Sequence, residues 1–523
     1  MTGWTLLLRT FLRRDKWHFL WWSVGLAILY VSQGASVDGL YTTQAEFDKA
    51  AATMEGNTAF IAMTGPARAL NTTGGQVFWQ SAAFGAVTIG LMSMLLVARH
   101  TRHEEETGRE ELVRATAIGR HAPLVATTVT VLLADLVAGA MVGGGLAAYG
   151  LPVADSLATG VGLALCGAFF TGVSVLAAQL SSTTRGLYGI TGAVIGAAYF
   201  LRAVGDVGTP ALSWLSPIGW YQAMHCYSGL RWWPALLLVA GAAATTAVGY
   251  LLFLRRDLGS GLMAARPGPA RAGAGLRSGF GLAWRLQRGS VLGWSLGMLL
   301  GGLGYGSIGD AAGDILGDSD LTRDMFAGGA ADLVDGFYAF SLMTLAIIAT
   351  AFTLSSATRP RSQEDAGHAE MMLATNVTRM RWLSGQLAVC LLGTLLVVGS
   401  AGVGIATGYV LATGDASGFE RFALPMLAQV APVLVVLGVA VLLYGVLPRA
   451  LAAGWAVLGF AVVVLMFGEV FRFPDWLRWL SPFEHLALAP AEPFALTPFL
   501  VLLAVAAVLT GLGAFAFRRR DIA

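Results

Sequence analysis

Residues 122–150, APLVATTVTVLLADLVAGAMVGGGLAAYG, carry one charged side chain, Asp135, in 29 positions. That run exceeds the roughly 20 apolar residues a helix needs to cross a bilayer core. Eleven further runs of similar kind flank it. The first six spans read approximately as 18–37, 76–98, 122–150, 157–180, 187–205 and 234–254, and the second six as 289–308, 336–357, 383–412, 421–447, 449–471 and 496–517. Composition agrees, because 56% hydrophobic and 12% charged residues leave too little polar surface to cover a globular core. The expected fold class is an all-α polytopic membrane protein of about twelve transmembrane helices.

The charges orient the spans. With the N-terminus inside, 25 of the 33 Lys and Arg fall on the cytoplasmic side and 8 outside, as the positive-inside rule requires. Both termini are therefore expected in the cytoplasm. Only Lys16 and Lys49 are lysines, which with abundant Ala and Gly suggests a high-GC bacterial genome and a multi-pass protein of the bacterial cell (inner) membrane. A formal charge of +2 gives no nucleic-acid surface. Cys166, Cys226 and Cys390 lie far apart and read as packing residues. Met1–Lys16 has no cleavage site; Trp4, Leu7, Leu8, Phe11 and Leu12 recur at helical spacing beside Arg9, Arg13, Arg14 and Lys16, which predicts an interfacial helix on the cytoplasmic surface. Trp clusters at 21–22, 214 and 220, 232–233, and 476 and 479 fall at span ends, as interface anchors do.

The chain repeats itself about a Gly/Pro/Arg-rich stretch, 255–283, which reads as a mobile cytoplasmic linker between a first half, 1–254, and a second, 284–523. Arg13 and Trp22-Ser23-Val24-Gly25 match Arg285 and Trp294-Ser295-Leu296-Gly297. Trp214-Leu215-Ser216-Pro217 matches Trp479-Leu480-Ser481-Pro482, and Arg255-Arg256-Asp257 matches Arg519-Arg520-Asp521. After the second span of each half, Glu105, Gly108, Glu111, Ala115, Thr116 and Arg120 are identical to Glu364, Gly367, Glu370, Ala374, Thr375 and Arg379 without a gap. An even number of spans per half makes these parallel repeats, related by an axis along the membrane normal.

A solvated loop needs no fixed spacing, so a duplicated pattern of acids and small residues points to a segment that presents the same groups twice. Residues 104–116 have helical propensity, with Leu112, Val113, Thr116 and Ala117 on a narrow apolar side. The segment resembles the coupling helix of ABC-2 type exporter permeases: Glu105, Gly108, Glu111, Leu112, Thr116 and Arg120 follow the family's pattern, and Glu364, Gly367, Glu370, Met371, Thr375 and Arg379 are its second copy. The Pro common near the end of that motif is missing from both copies. The N-terminal helix resembles the family's connecting helix, and the Ser-Pro motifs lie where the family has a re-entrant turn. The fused double-length form is similar to actinobacterial exporters of tetronasin and other polyketide antibiotics. The resemblance implies a membrane subunit that is not itself an enzyme, an ABC ATPase dimer docked on the twelve residues named, ATP and Mg on that partner with no cofactor on this chain, a hydrophobic small-molecule substrate, and contact with membrane lipid.

Other motifs are weaker. Leu383-Ser384-Gly385-Gln386 is similar to the ATPase signature but opens an apolar span, and neither lysine follows a glycine, so no phosphate-binding loop exists. His100, His103 and Glu104 read as solvated groups and not as a metal site. Asp135 must face protein or water, since an acid at mid-bilayer costs about 2.5 to 3.5 kcal/mol. With Thr128 and Gly139 on its face, it is read either as a polar point on a translocation pathway or as a helix-to-helix hydrogen bond; its counterpart is Thr394. Arg202, Asp206, Glu469 and Arg472 lie near outer span ends, where salt bridges could shape a gate and snorkelling is the simpler reading. Gly139 with Gly143, Gly192 with Gly196, Gly297 with Gly301, and Gly404 with Gly408 have close-packing spacing. A six-plus-six proton antiporter with Asp135 as carrier is the rival reading; it has no need of matched acidic loops or of the long outer loop from Asp38 to Val77.

Overall fold

The computed structural model describes residues 2–41, 43–55, 58–257, 259–263, 270–308, 333–467 and 473–521. Among these every regular element is a helix, and the chain divides into two compact units, Met1–Gly268 and Pro269–Ala523. Eleven helices among the described residues are long and apolar enough to cross a membrane. The twelfth expected span falls in a helix of 28 residues, Gly279–Gly306, whose nine glycines dilute its apolar character without shortening it.

In unit 1, α1 (Trp4–Leu40) is followed by α2 (Gln44–Glu55), α3 (Thr58–Thr64), α4 (Thr73–His100), α5 (Arg102–Glu106), α6 (Arg109–Arg114), α7 (Ala122–Tyr149), α8 (Val153–Leu180), α9 (Thr184–Val207), α10 (Pro210–Ser213), α11 (Pro217–Gln222) and α12 (Trp233–Leu254). The expected interfacial helix and first span are one element. No Gly or Pro separates them, so α1 runs 37 residues, about 55 Å, and its first turns pack Leu7 and Phe11 on Ala122 and Ala126 of α7. The long loop expected between the first two spans carries the helices α2 and α3. Arg202 of α9 does not snorkel: it is fully buried, its Nη2 donates to the carbonyl of Met63 at 2.9 Å, and it pairs with Asp206. Glu469 and Arg472 lie outside the described residues.

Unit 2 repeats the scheme with α13 (Gly279–Gly306), α14 (Leu333–Ala357), α15 (Arg359–Asp365), α16 (His368–Leu373), α17 (Arg379–Thr413), α18 (Leu424–Ala428), α19 (Val430–Val446), α20 (Ala453–Phe467), α21 (Asp475–Arg478) and α22 (Leu496–Arg519). Side-chain caps start α4, α9, α13 and α17: Thr72 accepts from the amide of Gly75, Thr183 from Gly186, Ser278 from Gly281 and Thr378 from Arg381, each satisfying a first-turn N–H.

Two of the four glycine pairs make helix crossings. A Cβ on Gly139 would stand 2.3 Å from the carbonyl oxygen of Gly160, and one on Gly404 2.3 Å from that of Leu299, so α7 meets α8 and α17 meets α13 backbone to backbone. Gly192, Gly196 and Gly297 face open space; on α13 the close approach uses Gly302 and Gly306 instead. The linker is held at its start, where the amides of Leu262 and Met263 donate to the carbonyls of Gln179 and Leu180, the uncapped end of α8. Residues 264–269 lie outside the described residues.

Candidate functional site

The repeated charged segment breaks into two short helices at a glycine. Gly108 has φ 71° and ψ 2°, and Gly367 has φ 70° and ψ 2°. Nothing lies within 4 Å of a Cβ at either position, so glycine is required for the left-handed conformation and not for space. The result in each unit is an elbow, α5 with α6 and α15 with α16, in place of the single helix that propensity suggests.

Beneath each elbow sits the same ion pair. Arg256, just past the end of α12, grips Glu105 with both guanidinium nitrogens, Nη2 to Oε1 at 2.6 Å and Nη1 to Oε2 at 3.0 Å, and Arg102 adds Nη1 to Oε2 at 2.8 Å. In unit 2, Arg520, just past α22, donates Nη2 to Glu364 Oε1 and Oε2 at 2.6 and 2.8 Å, Arg361 adds a bond at 3.2 Å, and the Tyr444 hydroxyl donates as well. The Glu364 side chain is 1% exposed and that of Glu105 9%. A second bond repeats too: Arg120 Nη2 donates to the carbonyl of Arg256 at 3.0 Å, and Arg379 Nη1 to that of Arg520 at 2.7 Å. Thr116 and Thr375 close the elbows by donating to the carbonyls of Val113 and Met372, both at 2.6 Å. The two repeated motifs that the sequence shows far apart, the acidic loop and the Arg-Arg-Asp end, are thus the two sides of one clamp. Arg102 and Arg361 belong to it; they stand at the same register of the two loops and were missed as a seventh identity.

The twelve residues expected to dock a partner divide into two groups. Glu105, Glu364, Arg120 and Arg379 hold the elbow to the last helix of their unit, and Gly108 and Gly367 shape it. Glu111, Leu112 and Thr116 face outward, as do Glu370, Met371 and Thr375, with Leu112 72% and Met371 65% exposed. Each elbow thus displays an acid beside an exposed apolar side chain.

The mounts differ in what surrounds them. Unit 1 is ionic: Arg14 reaches Glu104 at 2.8 Å, and buried Asp15 meets Arg99 at 3.0 Å and His100 at 2.5 Å. His100 therefore faces Asp15 while His103 is exposed. Glu110 is buried against Arg114 at 2.9 Å, and burial pushes its carboxyl up despite that partner. Behind this elbow a cavity of about 20 Å³, room for about one water molecule, is bounded by His100, Glu110, Arg114, Gln179, Phe253 and Arg256. Unit 2 carries fewer charges: Arg361 also pairs with Asp365 at 2.8 Å, but Ala369 and Leu373 stand in register with Glu110 and Arg114, Gln287 is bonded to Ser356 and Gln386, and Trp382 and Tyr444 both stack on Phe517.

Asp135 lies inside unit 1 and is 1% exposed. Ser93 of α4 donates to its Oδ1 and Thr171 of α8 to its Oδ2, both at 2.9 Å, so the carboxylate joins three helices. Thr128 is not part of that knot and instead receives the Tyr250 hydroxyl of α12 at 3.3 Å. In unit 2 the neutral pair Thr394 and Thr353, 2.8 Å apart, joins α17 and α14.

A two-unit, all-α, multi-pass membrane protein with one elbow per unit is the class this architecture defines. The family of the multidrug efflux system permease Rv1217c is recognised by a sequence model of its C-terminal domain, which matches residues 8–254 and again 276–518. The multidrug efflux system permease protein Rv1217c of Mycobacterium tuberculosis (strain ATCC 25618 / H37Rv) is 39% identical over 529 aligned residues, covering 100% of this chain and 95% of the relative. The chain belongs to this family of double-length permeases. The narrower likeness to tetronasin and polyketide exporters is not what these matches name.

Proposed function

We propose that the chain is the transmembrane permease subunit of an ATP-driven exporter that moves hydrophobic or amphiphilic small molecules, such as antibiotics or drugs, out of the cell. The membership in a multidrug efflux permease family supports the export of drugs. The observation that carries the ATP-driven part is the outward acid and apolar pair on each elbow, Glu111 with Leu112 and Glu370 with Met371, mounted on a buried clamp. A separate ATPase dimer, which holds ATP and Mg, seats one subunit against each elbow. The positive-inside balance supports a cytoplasmic position for the elbows and both termini, on the side where such a partner would be.

The clamp gives the docking a mechanical consequence. Because Glu105 is bonded to Arg256 and Glu364 to Arg520, a push on an elbow is delivered to the end of α12 or α22. Closure of the ATPase dimer on ATP supplies the differential interaction with two states that any population shift requires. The test is export of a fluorescent amphiphile from proteoliposomes containing this chain with its ATPase. ATP-dependent export is expected. Export driven by a proton gradient without any ATPase, and lost in Asp135→Asn, would replace this reading with a proton antiporter.

A further inference from the structure

The first turns of α1 present a charged, unpaired face. Arg9, Arg13, Trp17, Leu20 and Trp21 recur at helical spacing on a single arc, with Lys16 at its edge, and all six are exposed. The opposite face is packed: Leu7 and Phe11 lie on α7, and Asp15 meets Arg99 and His100. Arg14, at the margin between the two faces, is engaged by Glu104. Arg9, Arg13 and Lys16 have no ion-pair partner among the described residues, and Lys16 Nζ stands 5.5 Å above the ring of Trp17. No acid shares their arc, since α1 contains only the buried Asp15 and Asp38 near its far end.

α13 repeats this face. At a common offset Arg13 and Lys16 correspond to Arg285 and Arg288, and Leu20 and Ile28 to Leu292 and Leu300; all are exposed, and each set of four falls on one arc of its helix. Arg285 and Arg288 also have no ion-pair partner among the described residues, and α13 contains no acid. Orienting a chain in the bilayer requires basic residues near span ends but does not fix the face they occupy. Here they take the same outward face in both units. The order of side chains along that face is the order of groups in a phospholipid. On α1 the cations come first, Trp17 and Trp21 follow, and Ile28 stands about 22 Å beyond Arg13. On α13 Arg285 and Arg288 precede Leu292, Leu296 and Leu300. A soluble polyanion would meet the cations and leave the apolar column beyond them uncovered.

We propose that this face of each unit binds an anionic phospholipid, with the headgroup phosphate among the exposed cations and an acyl chain along the apolar column. The α1 face binds it more tightly: it has a third cation, Arg9, where α13 has Gly281, and interface-seeking Trp17 and Trp21 where α13 has Gly289 and Gly293. The proposal is independent of the ATPase reading. Each cation near an anionic headgroup contributes about fivefold to affinity, from about 1 kcal/mol per basic residue at about 1.4 kcal/mol per tenfold.

Native mass spectrometry of the full chain in a neutral detergent, titrated with dioleoylphosphatidylglycerol or with dioleoylphosphatidylcholine, reads the tightest binding event. Phosphatidylglycerol is expected to bind more tightly than phosphatidylcholine. Arg9→Gln with Arg13→Gln and Lys16→Gln leaves the α13 face as the tightest site and should weaken that event at least fivefold. Adding Arg285→Gln and Arg288→Gln should weaken it about 25-fold more. Arg185→Gln with Arg449→Gln removes two exposed cations outside these faces and should leave binding unchanged. Every substituted side chain is exposed and unpaired, so Tm should stay that of wild type in all variants. Phosphatidylcholine bound as tightly as phosphatidylglycerol, affinity of the five-site variant within twofold of wild type, an equal loss in the variant at Arg185 and Arg449, or displacement of the lipid by an equal concentration of soluble glycerol 3-phosphate overturns the proposal.

Discussion

Breaking one clamp should loosen one elbow and leave the other untouched. Arg256→Gln removes both bonds from Arg256 to Glu105, a pair whose side chains are 3% and 9% exposed, and leaves the carboxylate with Arg102 alone. Removing one partner of a buried pair costs about 3 to 5 kcal/mol because the other charge stays buried. Arg520→Gln leaves Glu364 with Arg361 and Tyr444, so its cost belongs at the lower end of that range. At about 1.4 kcal/mol per tenfold, opening of the affected elbow rises between about 100-fold and several thousand-fold. Hydrogen exchange by mass spectrometry on the protein in nanodiscs reads this directly, since local opening sets the exchange rate of the amides it frees. In Arg256→Gln, peptides covering 101–116 should lose protection while 360–375 keep theirs, and Arg520→Gln should do the reverse. Unchanged protection in both variants, or equal loss in both elbows, would refute a local clamp.

Three further outcomes follow from the same geometry. Gly108→Ala and Gly367→Ala each place a Cβ in a left-handed backbone and should cost about 1 to 2 kcal/mol, seen as a lowered Tm that Asn at the same position largely avoids. Asp135→Thr copies the neutral knot of Thr394 and Thr353; it exchanges interhelical bonds worth about 0.6 to 1.7 kcal/mol in membranes, so Tm should fall by a few degrees at most while ATP-driven export persists. Glu110 titrates above its ordinary value of 4.5 because of burial, so the folded elbow holds that proton more tightly than the unfolded chain. Its stabilising contribution is complete below 4.5 and is lost as pH rises through the folded value; intrinsic-rate-corrected exchange should show the first elbow loosening with pH relative to the second, which has Ala369, and Glu110→Gln should remove the difference.

Much of the fold could be read from the chain, because a bilayer imposes one requirement, about 20 apolar residues per helix, and runs such as 122–150 and 383–412 meet it openly. The repeat was equally plain, since Glu105, Gly108 and Arg120 recur in register. Their partners were not. Glu105 and Arg256 are 151 positions apart, and the acidic loop and the Arg-Arg-Asp end recur at different offsets, so nothing in a linear reading joins them. Propensity favours helix throughout 104–116, and only the backbone at Gly108 shows a turn there. Periodicity likewise separates a basic amphipathic start from an apolar span without showing that α1 runs unbroken through both. Glycine spacing was a poor guide because packing depends on what stands opposite: Gly139 meets Gly160, while Gly192 meets nothing.

The elbows' role rests on association with an ATPase. The full chain should be purified with candidate ATPase subunits as wild type, as Glu111→Arg with Glu370→Arg, and as Leu112→Arg with Met371→Arg, all outward positions that leave the clamps intact. Wild type should retain two ATPase subunits per chain, and both double variants should lose them at unchanged Tm. Equal retention by all three proteins would contradict docking at the elbows.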